Sequence, residues 1–276
     1  MRFLDDWEKE EEQKRGYMYE HLLCLYSSAG YRTTLYRETY PVFINKYGEV
    51  DIVLFGLREH SVNEEDCVND LLETPVETLN IVSPKPFHGI EGLEMKSVEF
   101  DYHIDVDRFD MEMKGSEYKQ IRYRVNRAKR EGYEVRISRE FTPDHIYVLS
   151  RHLTQNSYTV WDYEELLSLE RFFRDHDHGF MMEIYSDDKL MGFDVVDFFE
   201  ANEIMVVPLG IYLQVPGLAD LMMYENLKYA KMNGYRWLDV GSDCGRESLR
   251  EFKEKWFAKP KYEIHVQRVK KSRVLI

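Results

Sequence analysis

Apolar residues recur at two different periods along this chain, and the change of period maps its elements. Phe180 to Tyr185, Leu190 to Phe199 and Glu203 to Leu213 are three strand-like apolar runs. Polar turns at Ser186-Asp187-Asp188 and Glu200-Ala201-Asn202 separate them. Such spacing predicts three strands in a meander. From Leu218 to Met232 the period becomes helical, and Gln214-Val215-Pro216-Gly217 lies between the last strand and this helix. Upstream, Tyr118, Ile121, Val125 and Ala128 fall at helical spacing and end at Gly132, followed by a strand from Tyr133 to Ser138. Thr142-Pro143 supplies an N-cap and a first-turn proline for a helix reaching about Asn156, and a second helix covers roughly Tyr163 to Arg174. A strand at Arg236 to Val240, a helix at Glu247 to Trp256 and a strand at Tyr262 to Val269 complete the series.

The first portion is less regular. Residues 5 to 28 read as a helix ending near Ala29-Gly30, and two strand runs follow, Tyr31 to Ile44 and Val50 to Leu57. A short helix starts at Asn63 and carries to Leu72, with strands expected at Leu79 to Val82 and Val98 to Val106. The pattern divides the chain into residues 1 to 113 and 114 to 276.

Composition narrows the function. With 43 % hydrophobic residues, 20 Tyr and 15 Phe in 276 residues, a sizeable core is affordable and wholesale disorder is excluded. The formal net charge of -14 sets the global field against nucleic acid and favours a small-molecule or protein substrate. Cys24, Cys67 and Cys244 lie far apart with no C-x-x-C spacing, so a reduced, cytoplasmic protein without a cysteine zinc site is expected. Neither a signal-peptide core nor a membrane-length apolar run is seen.

A strand that turns through a glycine-bearing loop into a helix N-terminus aims several unpaired N–H groups at one point. With the positive end of the helix dipole they suit a phosphate or pyrophosphate. Gln214, Gly217 and Ala219 in Gln-x-x-Gly-x-Ala resemble the acyl-CoA pyrophosphate loop of the GNAT acyltransferase superfamily. The element order over about residues 133 to 270 is similar to that fold: α/β (α+β), with a central mixed, mostly antiparallel sheet. Some relatives carry two GNAT-like halves, and on that pattern residues 1 to 113 are a diverged, shortened first half. A second resemblance joins the first. Tyr118 to Arg130 with Gly132-Tyr133-Glu134-Val135 looks like the linking helix and first strand of Fem-type proteins. That group includes the peptidoglycan aminoacyltransferases and the C-terminal domain of phosphatidylglycerol lysyltransferases. Leu249-Arg250-Glu251-Phe252-Lys253 with Trp256-Phe257 is similar to their late L-x-x-F-K…F signature.

The resemblance implies an N-acyltransferase in which an amine attacks an acyl-CoA thioester, most simply that of acetyl-CoA, with no metal. Gln214, Val215, Gly217, Leu218 and Ala219 then grip the pyrophosphate. Backbone N–H groups from Leu209 to Ile211 meet the oxyanion. Pro208 interrupts ladder pairing inside this strand, which suits a bulge at Pro208-Leu209-Gly210 and a splay from the neighbouring strand. Glu203 is the candidate base, with Asp194 and Asp197 as rivals. The superfamily's acidic Tyr is replaced by Phe252, its preceding Asn by Gly245 and its Gly by Trp256. Cys244 and Tyr262 are alternative proton donors. Lys253 matches the Fem-type lysine beside the transfer centre and is otherwise a surface residue between Glu251 and Glu254. Asp243 is either a partner for the amine or a helix cap.

Two rivals to acyl-CoA chemistry stay open. One is a Fem-like transferase drawing on aminoacyl-tRNA, for which the basic run Lys119, Arg122, Arg124, Arg127, Lys129 and Arg130 is either a phosphate track or simply a solvated face. The other is a non-catalytic CoA-binding module. His176-Asp177-His178 reads as a loop rather than a metal site.

Overall fold

The computed structural model describes residues 5, 8–9, 30–36, 39–45, 47–55, 63–155, 166–175 and 179–270. The expected helix at 5 to 28 and the His176-Asp177-His178 loop lie almost wholly or wholly outside them. The chain forms two compact units: Met1–Tyr102 with Ser242–Arg250 and Pro260–Ile276, and His103–Gly241 with Glu251–Lys259. The division falls at Tyr102/His103 where the sequence suggests 113/114, and the first unit also takes in the chain's last strand.

The first unit opens with β1 (Arg32–Tyr36), β2 (Tyr40–Ile44) and β3 (Val50–Val53). The run expected as one strand is therefore a hairpin, closed where Thr39 N–H donates to Tyr36 O at 3.0 Å. Helix α1 (Glu64–Glu73) starts at Asn63, whose side chain accepts from Glu65 N. Strands β4 (Thr78–Ser83) and β5 (Leu93–Asp105) follow, β5 leading the chain into the second unit. The strand β11 (Lys259–Lys270) returns to pair antiparallel with β4, His265 opposite Ser83. Val42, Ile52, Leu54, Val68, Leu71 and Ile81 form the apolar centre of this unit.

In the second unit β6 (Glu134–Ser138) pairs with β7 (Phe180–Ser186), and β7, β8 (Lys189–Phe199) and β9 (Ile204–Tyr212) form the three-strand meander that the pattern predicts. All three pairings are antiparallel. Strand β10 (Trp237–Ser242) then pairs parallel with β9. Helices α2 (Lys119–Arg130), α3 (Pro143–Gln155), α4 (Leu169–Asp175), α5 (Leu218–Met232) and α6 (Glu247–Lys255) complete the described elements. The mixed α/β architecture with a mostly antiparallel sheet is the one expected. Helix α3 begins with an unusual cap: Thr142 N–H donates to His145 Nδ1 at 3.0 Å. That bond makes Nδ1 an acceptor, so Nε2 carries the proton and donates to Glu183 Oε1 at 2.9 Å. No described helix is long and apolar enough to cross a membrane.

Candidate active site

The parallel contact between β9 and β10 is short. Ile204, Met205 and Val206 pair with Trp237, Leu238 and Asp239, and the ladder ends there although both strands continue. On its other edge β9 changes register against β8: Val206 faces Asp197, but Leu209 faces Val195. Two residues of β9, Val207 and Pro208, therefore stand against Val196 alone. Pro208 has no N–H to give a ladder, and the bulge bends β9 where pairing to β10 stops. The result is a fork whose free arm is Pro208 to Tyr212. The expected splay is present, with the bulge displaced one residue toward the start of the strand.

The fork's free arm runs into the Gln214–Ala219 loop. Gly217 caps α5 with φ 93°, a conformation that glycine adopts without a Cβ penalty. Val215 N–H is taken by Leu213 O and Leu218 N–H by Val215 O. Among the described residues no acceptor takes the N–H of Gly217, Ala219 or Asp220. The loop thus keeps three donors at a helix N-terminus. Gln214 is exposed and its amide reaches Gln155 O at 3.3 Å, while Leu218 is fully buried. Leu209 is half-buried and Ile211 buried on the free arm.

Asp220, unnoticed in the sequence, is the charged centre of this helix start. It is 2 % exposed and accepts from Trp256 Nε1 at 3.0 Å and Lys255 Nζ at 2.5 Å, with Arg124 Nη1 at 3.3 Å. Burial pulls the Lys255 ammonium below its ordinary pKa, against the opposing pull of Asp220. Its signal in the sequence was an acid in the first turn of an apolar helix, where an anion complements the dipole.

Lys253 is 6 % exposed, and its ammonium donates to Gly241 O at 2.5 Å. The surface alternative is excluded. Gly241 lies just past the last β9–β10 pair, so this buried charge stands beside the fork. The other proposed residues are placed elsewhere. Glu203 is exposed, has φ 55° as the cap of a 3-10 turn, and offers its carbonyl to Arg236 and Trp237 N–H. It immediately precedes β9, about 20 Å from Leu209 along the strand direction at ~3.3 Å per residue. That geometry removes Glu203 from the free arm of the fork. Asp243 belongs to the first unit, is fully buried, and accepts from Phe100 N, Gly245 N and both Nε and Nη2 of Arg250. Its lone pairs are spent on shaping its loop rather than on the first turn of α6, and none is left for an amine. Cys244 and Tyr262 also belong to the first unit; Cys244 N–H bonds Ser242 Oγ, and the Tyr262 ring meets Phe55 edge-on.

Of the carboxylates offered as base, Asp194 is the one tied to the free arm. It faces Gly210 in register, and Tyr212 O–H donates to it. Asp197 is buried with Oδ1 on Phe198 N–H. A buried pair of His103 Nε2 and Asp239 Oδ2, 3.3 Å apart, marks the closed end of the fork.

The mixed α/β fold, with a forked strand pair that runs through a glycine-bearing loop into a helix N-terminus, is GNAT-like. The chain belongs to the family described as phosphatidylglycerol lysyltransferase, C-terminal, whose model matches residues 86–263. Among solved structures it is similar to L-PGS from Bacillus licheniformis, with TM-score 0.66 at 17 % identity, over 99 % of this chain and 94 % of that one. FemX gives TM-score 0.60 at 10 % identity over 96 % of both chains. A tandem GNAT protein from the clavulanic acid biosynthesis pathway gives 0.54 at 11 % identity, over 83 % of this chain and 78 % of that one. None of the curated proteins matches the sequence.

Proposed function

We propose that this protein transfers an aminoacyl group from the ester of a charged tRNA to a hydroxyl or amine acceptor, by direct attack on the acyl carbonyl at the β9–β10 fork. The observation that carries the reading is Lys253: a desolvated ammonium beside the opening of the fork can stabilise charge that develops as the ester is attacked. Membership of the lysyltransferase family supports it and sets the first substrates to try. Helix α2 supports it as well. Arg124, Arg127 and Lys129 are paired with Asp220, Glu131 and Glu225, which leaves Lys119, Arg122 and Arg130 without a carboxylate partner among the described residues. The test is transfer of radiolabel from a panel of charged tRNAs, lysyl-tRNA first, to phosphatidylglycerol vesicles and to free amines. Label that stays on tRNA across the whole panel rejects the reading.

An acyl-CoA donor is the second reading, and the three unpaired N–H groups at Gly217, Ala219 and Asp220 favour it. Against it stands Asp220, a resident anion in the same helix turn. A CoA thioester bound at 100 times its Kd would add about 2.7 kcal/mol to stability. A melting temperature that does not move with acetyl-CoA or longer acyl-CoAs removes this alternative.

A further inference from the structure

Beneath the free arm of the fork lies a polar cluster that the reading above does not use. Tyr212 stands opposite Gly192 on β8, and Asp194 opposite Gly210 on β9. A Cβ at Gly192 would lie 2.5 Å from the Tyr212 ring, so the glycine leaves room for the phenol to lean diagonally across the sheet. Its O–H reaches Asp194 Oδ1, and Asn226 of α5 holds Oδ2 at 2.5 Å. Asp194 is 2 % exposed. Burial pushes its carboxyl up to about 7, against the hydrogen bonds from Tyr212 and Asn226 that pull it down. The Tyr212 phenol is raised well above 10 by burial and by Asp194.

Gly210 is the window to this pair. It is exposed, and a Cβ there would stand 2.8 Å from Asp194 Oδ1 and 3.1 Å from Tyr212 Oη. Gly210 is absent from the positive-φ glycines, so space rather than backbone conformation calls for glycine here. An exposed strand residue without a side chain thus stands directly against a buried carboxylate–phenol pair, on the free arm of the fork.

We propose that Tyr212 and Asp194 are the proton path of the transfer reaction, which rests on the transferase reading above. As the acceptor's nitrogen or oxygen bonds to the acyl carbon, Tyr212 Oη takes its proton and passes its own to Asp194 Oδ1. When the bond from the acyl carbon to the leaving oxygen or sulfur breaks, the proton returns through Tyr212 to that atom. No net proton is gained or lost. Tyr212 is the residue that touches the reacting atoms, and Asp194 acts through it. A carboxyl that titrates near neutrality is matched to both halves of this exchange.

The experiment combines the pH dependence of kcat with a carbon-13 NMR titration of the Asp194 carboxyl, in wild type, Asp194→Asn and Tyr212→Phe. Wild type should show kcat rising through one ionisation near pH 7 that coincides with the NMR midpoint. Asp194→Asn should lose about 100-fold in kcat and the pH step, with KM for the donor nearly unchanged. Tyr212→Phe should lose as much kcat while the Asp194 midpoint moves up, since one stabilising donor is gone. A folded Asp194→Asn or Tyr212→Phe enzyme that keeps wild-type kcat and its pH step overturns the proposal. If wild type turns over no donor at all, the transferase reading fails instead. The NMR titration then decides the pair alone: a carboxyl already ionised at pH 5 rejects it, and a midpoint near 7 retains a proton acceptor at the fork.

Discussion

Asp194 carries its ionisation into the stability of the protein. Its carboxyl titrates at about 7 in the fold and near 3.9 in an unfolded chain, so the native state holds the extra proton between those values. Stability from this source is therefore complete below about pH 4 and is lost as pH rises through 7. The loss amounts to roughly 4 kcal/mol, about 1.4 kcal/mol for each pH unit between the two values. Asp194→Asn should flatten that slope and stabilise the protein at pH 8. The new amide also offers a donor to Asn226 Oδ1, which is buried without a partner among the described residues. Urea unfolding at pH 5 and pH 8 checks both points, and an unchanged slope in the variant would count against a neutral buried carboxyl. Lys253 makes a contrasting case. Lys253→Met leaves Gly241 O without its donor, at a cost of about 1–3 kcal/mol, yet should lower transfer about 100-fold. Parallel losses in melting temperature and activity, with full recovery of kcat on cooling, would reduce Lys253 to a packing residue.

At the level of elements, Asp220 ties the start of α5 to Arg124 of α2 and to Lys255 and Trp256 of α6. Asp220→Ala strands a largely buried ammonium and a fully buried indole N–H, so a loss of about 3 kcal/mol is expected, seen as a lower urea midpoint. A change below 1 kcal/mol would mean that the helices are held by apolar packing alone. Most of these elements were legible because their apolar periods are clean: the meander, α5 and the helix starts at Asn63 and Pro143 come directly from spacing, although Thr142 meets His145 Nδ1 instead of capping through its hydroxyl. The fork was legible in outline too, since Pro208 cannot serve a ladder. What escaped were groups that acquire meaning only across elements. Asp194 depends on Tyr212 from the next strand and Asn226 from α5, and Asp220 on partners from α2 and α6. Lys253 was half legible. Its neighbours Glu251 and Glu254 suggest a surface, but Leu249, Lys253 and Trp256 share one helical face at spacings of four and three, which turns the lysine stem toward an apolar side. The pairing of β11 with β4 was invisible, because nothing local in either strand specifies so distant a partner.

Taken as a whole, the chain sets a formal charge of -14 against one helix that concentrates positive charge. The exposed side of α2 lines a groove of about 610 Å³ with Lys119, Arg122, Tyr123, Asn126, Lys129 and Arg130. Tyr123 is 60 % exposed there, a ring surface on which a base can stack beside phosphate contacts. Arg122 is already braced on the carbonyl oxygens of Met113 and Gly115, which holds its guanidinium at the helix surface rather than free in solvent. An acidic protein with such a patch should bind nucleic acid weakly at high salt and through few phosphates. If Lys119, Arg122 and Arg130 each neutralise one, the slope of log K against log salt should be near -3, at about -0.9 per phosphate on a duplex and less on a single strand. Replacing all three by Gln should remove most of that slope for charged tRNA, while Asp194→Asn should leave it untouched. Filter binding between 50 and 200 mM salt measures it. A slope unaltered by the triple substitution would move the tRNA contact off α2 and leave the fork, with its three free N–H groups, to a smaller phosphate-bearing donor.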